Sequence, residues 1–127
     1  MKWLGRDTVR TPHLVLCLTE AEYLKAARHC KVAQPHTWIE ESRQKAVVHT
    51  WESRGQLTCV VCLHPDALQS DPIEVVAVLV HEAVHVFQRL CDSIGEDHPS
   101  SEFEAYSIER IAEQLIREFG WRHALTR

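Results

Sequence analysis

The sequence predicts an α+β fold in which a small, mostly antiparallel sheet packs on two helices. Three features predict it. Short runs of β-branched and apolar residues fill the first half of the chain, a long apolar stretch begins after Asp71, and an amphipathic stretch follows Pro99. The 127 residues are enough for one hydrophobic core and too few for two, so we expect a single domain over residues 1–127.

The first predicted elements are a strand and a helix. Residues 13–18 form a short apolar run typical of a buried strand. Thr19, with Glu22 three positions later, forms the capping-box pattern that opens a helix, which we expect to reach about Cys30. Residues 31–43 contain a proline and show no clean hydrophobic period, so we expect an irregular segment there.

A hairpin and a central helix are predicted next. Residues 46–51 and 57–63 are rich in β-branched side chains and are joined by a turn-like segment, which indicates a β-hairpin. Asp71 as the N-cap and Pro72 at the first helical position predict the start of a helix. Residues 73–91 are apolar on nearly every side, so we expect this helix to be covered on most faces.

The last predicted helix follows the chain break at Gly95 and Pro99. Ser100 or Ser101 is expected to cap it, and apolar residues then recur at helical spacing through residues 102–119. This pattern predicts an amphipathic helix packed on the central one.

Composition excludes several classes of function. The formal net charge is −4 and no long run of Lys or Arg occurs, so nucleic acid and anionic membrane surfaces are not expected partners. No apolar run approaches the roughly 20 residues that span a bilayer, and the N-terminus does not resemble a secretory signal, which predicts a cytoplasmic protein.

Cys59 and Cys62 form a lone C-x-x-C on opposite faces of a predicted strand, so we expect no metal site at these two cysteines.

The chemistry is predicted by His81-Glu82-Ala83-Val84-His85 in the central helix. The two histidines are four positions apart and therefore lie on one face, where both imidazoles can reach one Zn²⁺ ion. Glu82 is placed beside a metal-bound water, from which it can take a proton as general base. Polar groups in such an apolar stretch would cost free energy unless paired, and a metal supplies that pairing. Of the other histidines, His64 and His98 flank these elements.

The third zinc ligand is expected to be a carboxylate at the start of the last helix, either Glu102 or Glu104. Position 92 is Asp, so the longer motif with a third histidine is excluded. Helical periodicity favours Glu104, which is nearer the apolar stripe. Glu104 also has a structural explanation, since with Ser101 as N-cap it would complete a capping box.

The motif with Glu102-Phe103-Glu104-Ala105 resembles the gluzincins, zinc metallopeptidases whose third ligand is a Glu on a following helix with a small residue three positions later. Ala105 meets that pattern for Glu102, and Ser107 meets it for Glu104. On the strength of the resemblance we predict Glu102 as the third ligand, with Glu104 as the alternative. Size and element order resemble the minigluzincins, and residues 81–115 resemble small metallopeptidases encoded by bacteriophages and prophages. The sequence departs from the larger gluzincins at Tyr106 and Ile108, where those enzymes often carry an Asp or Asn that supports a ligand histidine.

The sequence and the resemblance together predict a zinc-dependent hydrolase that acts on a peptide or protein substrate, with its cleft between the edge of the sheet and the motif helix. A protein partner would complete the cleft if so small a domain lacks specificity pockets. The alternative is a non-catalytic zinc-binding scaffold or interaction module, for example a phage assembly or host-interaction protein. Glu82 distinguishes the two, because a structural zinc site has no use for a base.

Overall fold

The computed structural model describes residues 1–4, 12–39 and 45–126 and confirms the α+β class. The elements are β1 (Trp3–Leu4), β2 (His13–Cys17), α1 (Glu20–His29), β3 (Ala46–Ser53), β4 (Gln56–Leu63), a 3-10 turn (Pro65–Gln69), α2 (Pro72–Ile94) and α3 (Ser101–Thr126). The predicted strand, hairpin and three helices are thus all present. None of the helices in the described ranges combines the length and hydropathy needed to cross a bilayer.

The sheet has the strand order β1-β2-β4-β3, with β3 at one edge. β1 pairs with β2 and β3 pairs with β4 in antiparallel fashion, as expected of a mostly antiparallel sheet. The central pairing of β2 with β4 is parallel, and the sequence did not predict it. It is possible because α1 and β3 lie between these strands in the chain and provide the long connection that parallel strands need.

The sheet separates two apolar clusters. On one face, Leu14 and Leu16 of β2 and alternate residues of β4 pack against α2 and α3. On the other face, Val15, Val60 and neighbouring residues pack against Tyr23 of α1. The two central strands are therefore covered on both sides, which explains why their sequences are continuously apolar.

The ends of α1 and α2 follow the local signals in the sequence. The Thr19 hydroxyl accepts a hydrogen bond from the Glu22 N–H at 3.1 Å, and the Asp71 carboxylate accepts one from the Ile73 N–H at 3.0 Å. Gly95 adopts a φ of 72°, in the left-handed region that favours glycine. The Glu96 N–H then donates to the Cys91 carbonyl at 2.9 Å, which closes the helix in a Schellman motif.

The hydrogen bonds at the N-terminus of α3 show which of the two serines, Ser100 or Ser101, caps this helix. The Ser100 hydroxyl accepts a hydrogen bond from the Phe103 N–H at 3.2 Å, so Ser100 is the N-cap. The alternative in which Ser101 caps the helix and Glu104 completes a capping box is therefore wrong. Glu104 lies one position too far along the helix to fill that role.

Glu22 also links α1 to the end of α3. Its carboxylate accepts hydrogen bonds from the Leu18 N–H at 2.9 Å and from the Arg122 guanidinium at 2.7 Å. Burial raises the pKa of the Glu22 carboxyl, but the bonds from Leu18 and Arg122 outweigh burial and hold this pKa below its ordinary value of 4.5. Because the pKa is lower in the folded state, ionised Glu22 stabilises the fold above about pH 4.5, and this contribution is lost as the pH falls through the folded value.

We expect Glu22→Gln to lower the free energy of unfolding by about 1–2 kcal/mol at neutral pH, since the side chains of Glu22 and Arg122 are largely buried. The difference from the wild type should shrink as the pH falls below 4.5. Urea denaturation at a series of pH values measures it. Glu113→Gln is the matched control, because it breaks an exposed pair with Arg117 of the same length, 2.7 Å. Equal losses in the two variants, or a difference that does not change with pH, would contradict the prediction.

Candidate metal centre

His81 and His85 point toward each other on the surface of α2. Their Nε2 atoms are 3.1 Å apart, and their rings meet edge to face with a centroid separation of 4.8 Å. Two nitrogens bound to one tetrahedral zinc ion at 2.0–2.1 Å would lie about 3.3 Å apart. The observed separation of the two imidazole nitrogens is therefore close to that of two ligands of one zinc ion.

The two histidines are less buried than their apolar surroundings in the sequence suggested. His81 is exposed and His85 is half-buried, whereas Leu79, Ala83 and Val86 face the core. The expectation that α2 is covered on most faces is therefore wrong for the strip that carries the histidines. The physical reason is that the sheet and α3 cover two sides of this helix and leave the third in contact with water.

Glu82 differs from both histidines because it is buried, with 6% of its surface exposed. Burial raises the pKa of the Glu82 carboxyl, and the charges of His81 and His85 oppose this rise. A carboxylate with a raised pKa holds a proton more readily, which is the property required of a general base. The sequence predicted that all three motif residues lie in apolar surroundings. Of the three, only Glu82 is buried.

A surface groove runs along α2 beside the start of the edge strand β3. His81 and Glu82 lie in it, next to Ala46 of β3 and to Val78 one turn earlier on the helix. The groove lies between the edge of the sheet and the motif helix, where the sequence placed the cleft. The residues that line it are Lys45, Ala46, Glu74, Ala77, Val78, His81 and Glu82.

A smaller cavity of about 180 Å³ adjoins this groove and shares three of its lining residues. Its apolar lining includes Leu63, Ala67 and Val75, which are almost fully buried. His64 lies at its rim and accepts a hydrogen bond from the Asp66 N–H at 3.2 Å. Of the two flanking histidines, His64 is therefore beside the site, while the groove and this cavity do not include the exposed His98.

The structure does not join either candidate third ligand to the histidine pair. Glu102 and Glu104 are both exposed at the start of α3. Across residues 1–4, 12–39 and 45–126, no group of three or more His, Cys, Asp or Glu side chains is arranged to hold a metal ion. Of the four side chains His81, His85, Glu102 and Glu104, the structure brings together the two imidazoles, whose Nε2 atoms are 3.1 Å apart.

The two glutamates occupy different faces of α3. Ile108, Ile111 and Leu115, at helical spacing from Glu104, are half-buried or buried. The positions at helical spacing from Glu102, such as Tyr106, are exposed. Burial raises the pKa of the Cys91 thiol in α2, and the carboxylates of Glu96, Asp92 and Glu104 raise it further. Glu104 is therefore on the side of α3 that faces α2.

Gln88 is a partner of the histidine pair that the sequence reasoning missed. Its Oε1 atom is 3.0 Å from Nδ1 of His85, one turn earlier on the same helix. The spacing of three positions was the available signal, since residues i and i+3 are neighbours on a helix surface. The resemblance pointed to Tyr106 and Ile108 on the next helix as the positions of a supporting residue, but Tyr106 is 67% exposed and lines a different groove.

The C-x-x-C residues lie apart, as predicted. Cys59 packs in the cluster against α2 and α3, whereas Cys62 packs in the cluster against α1. Burial raises the pKa of the Cys59 thiol to about 12, so this residue is a buried neutral thiol.

Comparison with protein-family models, curated protein sequences and solved structures finds no match to the chain.

Proposed function

We propose that the protein is a zinc-dependent hydrolase of peptides, related to the gluzincins. One observation carries the proposal. The Nε2 atoms of His81 and His85 lie 3.1 Å apart on a water-accessible face of α2, and the buried carboxylate of Glu82 lies in the same groove. Two nitrogens in position to bind zinc would supply two of the three protein ligands that catalytic zinc sites use, and Glu82 would supply the adjacent base.

Each side chain of the motif has a proposed role. His81 and His85 would hold the zinc ion through their Nε2 atoms, and a carboxylate of α3 would be the third ligand. When bound there, zinc would lower the pKa of its water toward about 7 and would polarise the carbonyl of the substrate. The Glu82 carboxylate takes a proton from the attacking water and later gives it to the leaving amine. Burial of Glu82 favours its protonated form and so assists the first of these two transfers.

The groove supports a peptide as substrate. Within the described sheet, β3 pairs with β4 alone, so its other edge can accept an extended peptide by main-chain hydrogen bonds. The adjoining cavity of about 180 Å³ has an apolar floor. Since an engineered cavity of about 150 Å³ holds benzene, we infer that it accepts a substrate side chain about as large as Leu or Phe.

Incubation of the zinc-loaded protein with a diverse peptide library, with products identified by mass spectrometry, tests the proposal. We expect cleavage that a chelator removes and added zinc restores, with apolar residues enriched near the cleaved bond. Because a missing partner would also prevent cleavage, a zinc titration is measured in parallel. A protein that neither cleaves any peptide nor binds zinc would contradict the proposal.

Glu104 is our candidate for the third ligand, because it is on the side of α3 that faces α2 and is not used in a capping box. We expect Glu104→Gln to weaken zinc binding by more than the 10–100-fold typical of residues that only orient a ligand. Glu102→Gln is the matched control and should change the affinity little. Competition with a chromophoric chelator measures both. A large loss in Glu102→Gln with little change in Glu104→Gln would support Glu102, the ligand that the resemblance favours.

A further inference from the structure

The contact between Gln88 and His85 defines where the proton of the His85 ring lies. The Oε1 atom of Gln88 carries no hydrogen, so across the 3.0 Å contact His85 Nδ1–H must be the donor. A neutral imidazole has one N–H, and its other nitrogen then carries a lone pair. In neutral His85 the lone pair is therefore on Nε2, the atom that is 3.1 Å from Nε2 of His81.

We propose that Gln88 is a positioning residue that holds His85 in its Nδ1–H tautomer and so presents Nε2 to a metal ion. This inference rests on the proposed function of the site. Ligand histidines in zinc sites generally donate their second N–H to a fixed acceptor, which sets both tautomer and ring orientation. In this chain the acceptor is on the same helix as the ligand, one turn away, so the pair is aligned by α2 itself.

The chemistry of an amide suits this role. A carboxylate in the same place would also accept the Nδ1–H bond, but its negative charge would favour the protonated ring, which has no lone pair for a metal. The neutral Gln88 fixes the tautomer without that effect. In the metal-free protein, His81 Nε2–H can then donate a hydrogen bond to His85 Nε2. The hydrogen bonds thus run in one order, with His81 donating to His85 and His85 donating to Gln88.

Gln88→Met tests the proposal. Methionine has nearly the shape of glutamine and a similar helix propensity, but it lacks the amide oxygen, so the fold should be kept. Nitrogen-15 NMR of the imidazole rings in the metal-free protein reports the tautomer of His85 directly. We expect the Nδ1–H form in the wild type and its loss in Gln88→Met, together with a 10–100-fold fall in zinc affinity.

Two further variants control the experiment. Gln88→Glu restores an acceptor and should return His85 to a ring with a proton on Nδ1. Gln114→Met makes the same chemical change on α3, away from the histidines, and should leave both tautomer and zinc affinity as in the wild type. Circular dichroism and melting temperature establish that all variants fold.

The outcomes separate this inference from the proposed function. If the zinc-binding wild type holds its His85 proton on Nε2, or if Gln88→Met changes neither tautomer nor affinity, the role of Gln88 is overturned and the zinc site stands. If the wild type binds no zinc at all, the proposed function and the metal-presenting role of Gln88 are overturned together. The proposal is supported if Gln88→Met shows both a shifted His85 tautomer and a reduced zinc affinity while Gln114→Met shows neither.

Discussion

Glu82→Gln is expected to abolish peptide hydrolysis by the zinc-loaded protein while leaving the fold and the bound zinc in place. The amide preserves the size of the side chain but cannot take a proton from water, and a general base contributes about 10²–10⁴-fold to a rate. The fold should tolerate the change, because burial already raises the pKa of the Glu82 carboxyl and so disfavours its charged form. Cleavage of the best peptide from the library, assayed beside zinc content, measures the effect.

The control for this variant is Glu20→Gln, an exposed carboxylate on α1 that lies on the opposite side of the sheet from the motif helix. It should retain wild-type cleavage. Activity in Glu82→Gln equal to that of the wild type would show that another group is the base. Zinc binding without cleavage in either protein would favour the alternative of a zinc-binding interaction module over a hydrolase.

The second large effect is expected from His85→Ala, which should remove a bound zinc that the wild type carries at about one ion per chain. Without His85, His81 and one carboxylate of α3 would retain two of the three protein ligands, too few to hold the ion in place. Because His85 is only half-buried, the metal-free variant should be nearly as stable as the metal-free wild type. The wild type should gain about 2.7 kcal/mol from zinc at 100 times its Kd, a gain that His85→Ala should lose.

Elemental analysis and thermal unfolding with and without zinc measure these quantities. His98→Ala is the matched control, since His98 is an exposed histidine in the connection between α2 and α3. It should bind zinc as the wild type does. The site assignment fails if the wild type holds no zinc after reconstitution, or if His85→Ala and His98→Ala bind it equally.

The sequence was most informative where a structure is determined by neighbouring residues. The Thr19–Glu22 pair, the Asp71 cap and Gly95 each act through hydrogen bonds or backbone preferences within a few positions, and each marks a helix end in the structure. The alternation of Cys59 and Cys62 across a strand is equally local. The pairing of His81 with His85 follows from helix geometry alone, and the 3.1 Å separation of their Nε2 atoms confirms it.

The tertiary structure decided what depends on distant parts of the chain. The sequence could not show that β2 pairs in parallel with β4, because both strands are simply apolar whichever neighbour they have. It could not show which side of α2 remains in water, since that depends on where β3 and α3 pack, and so it overestimated the burial of His81 and His85.

The choice between Glu102 and Glu104 depends on the same packing. By itself, then, the sequence determined the helix ends, the hairpin, and a histidine pair with an adjacent carboxylate, because each is set by the geometry of one helix or one turn. Only the tertiary structure decided that Glu82 is buried while the histidines beside it are not. The reason is that burial of each face of α2 is fixed by long-range contacts with the sheet and α3, which no local pattern encodes.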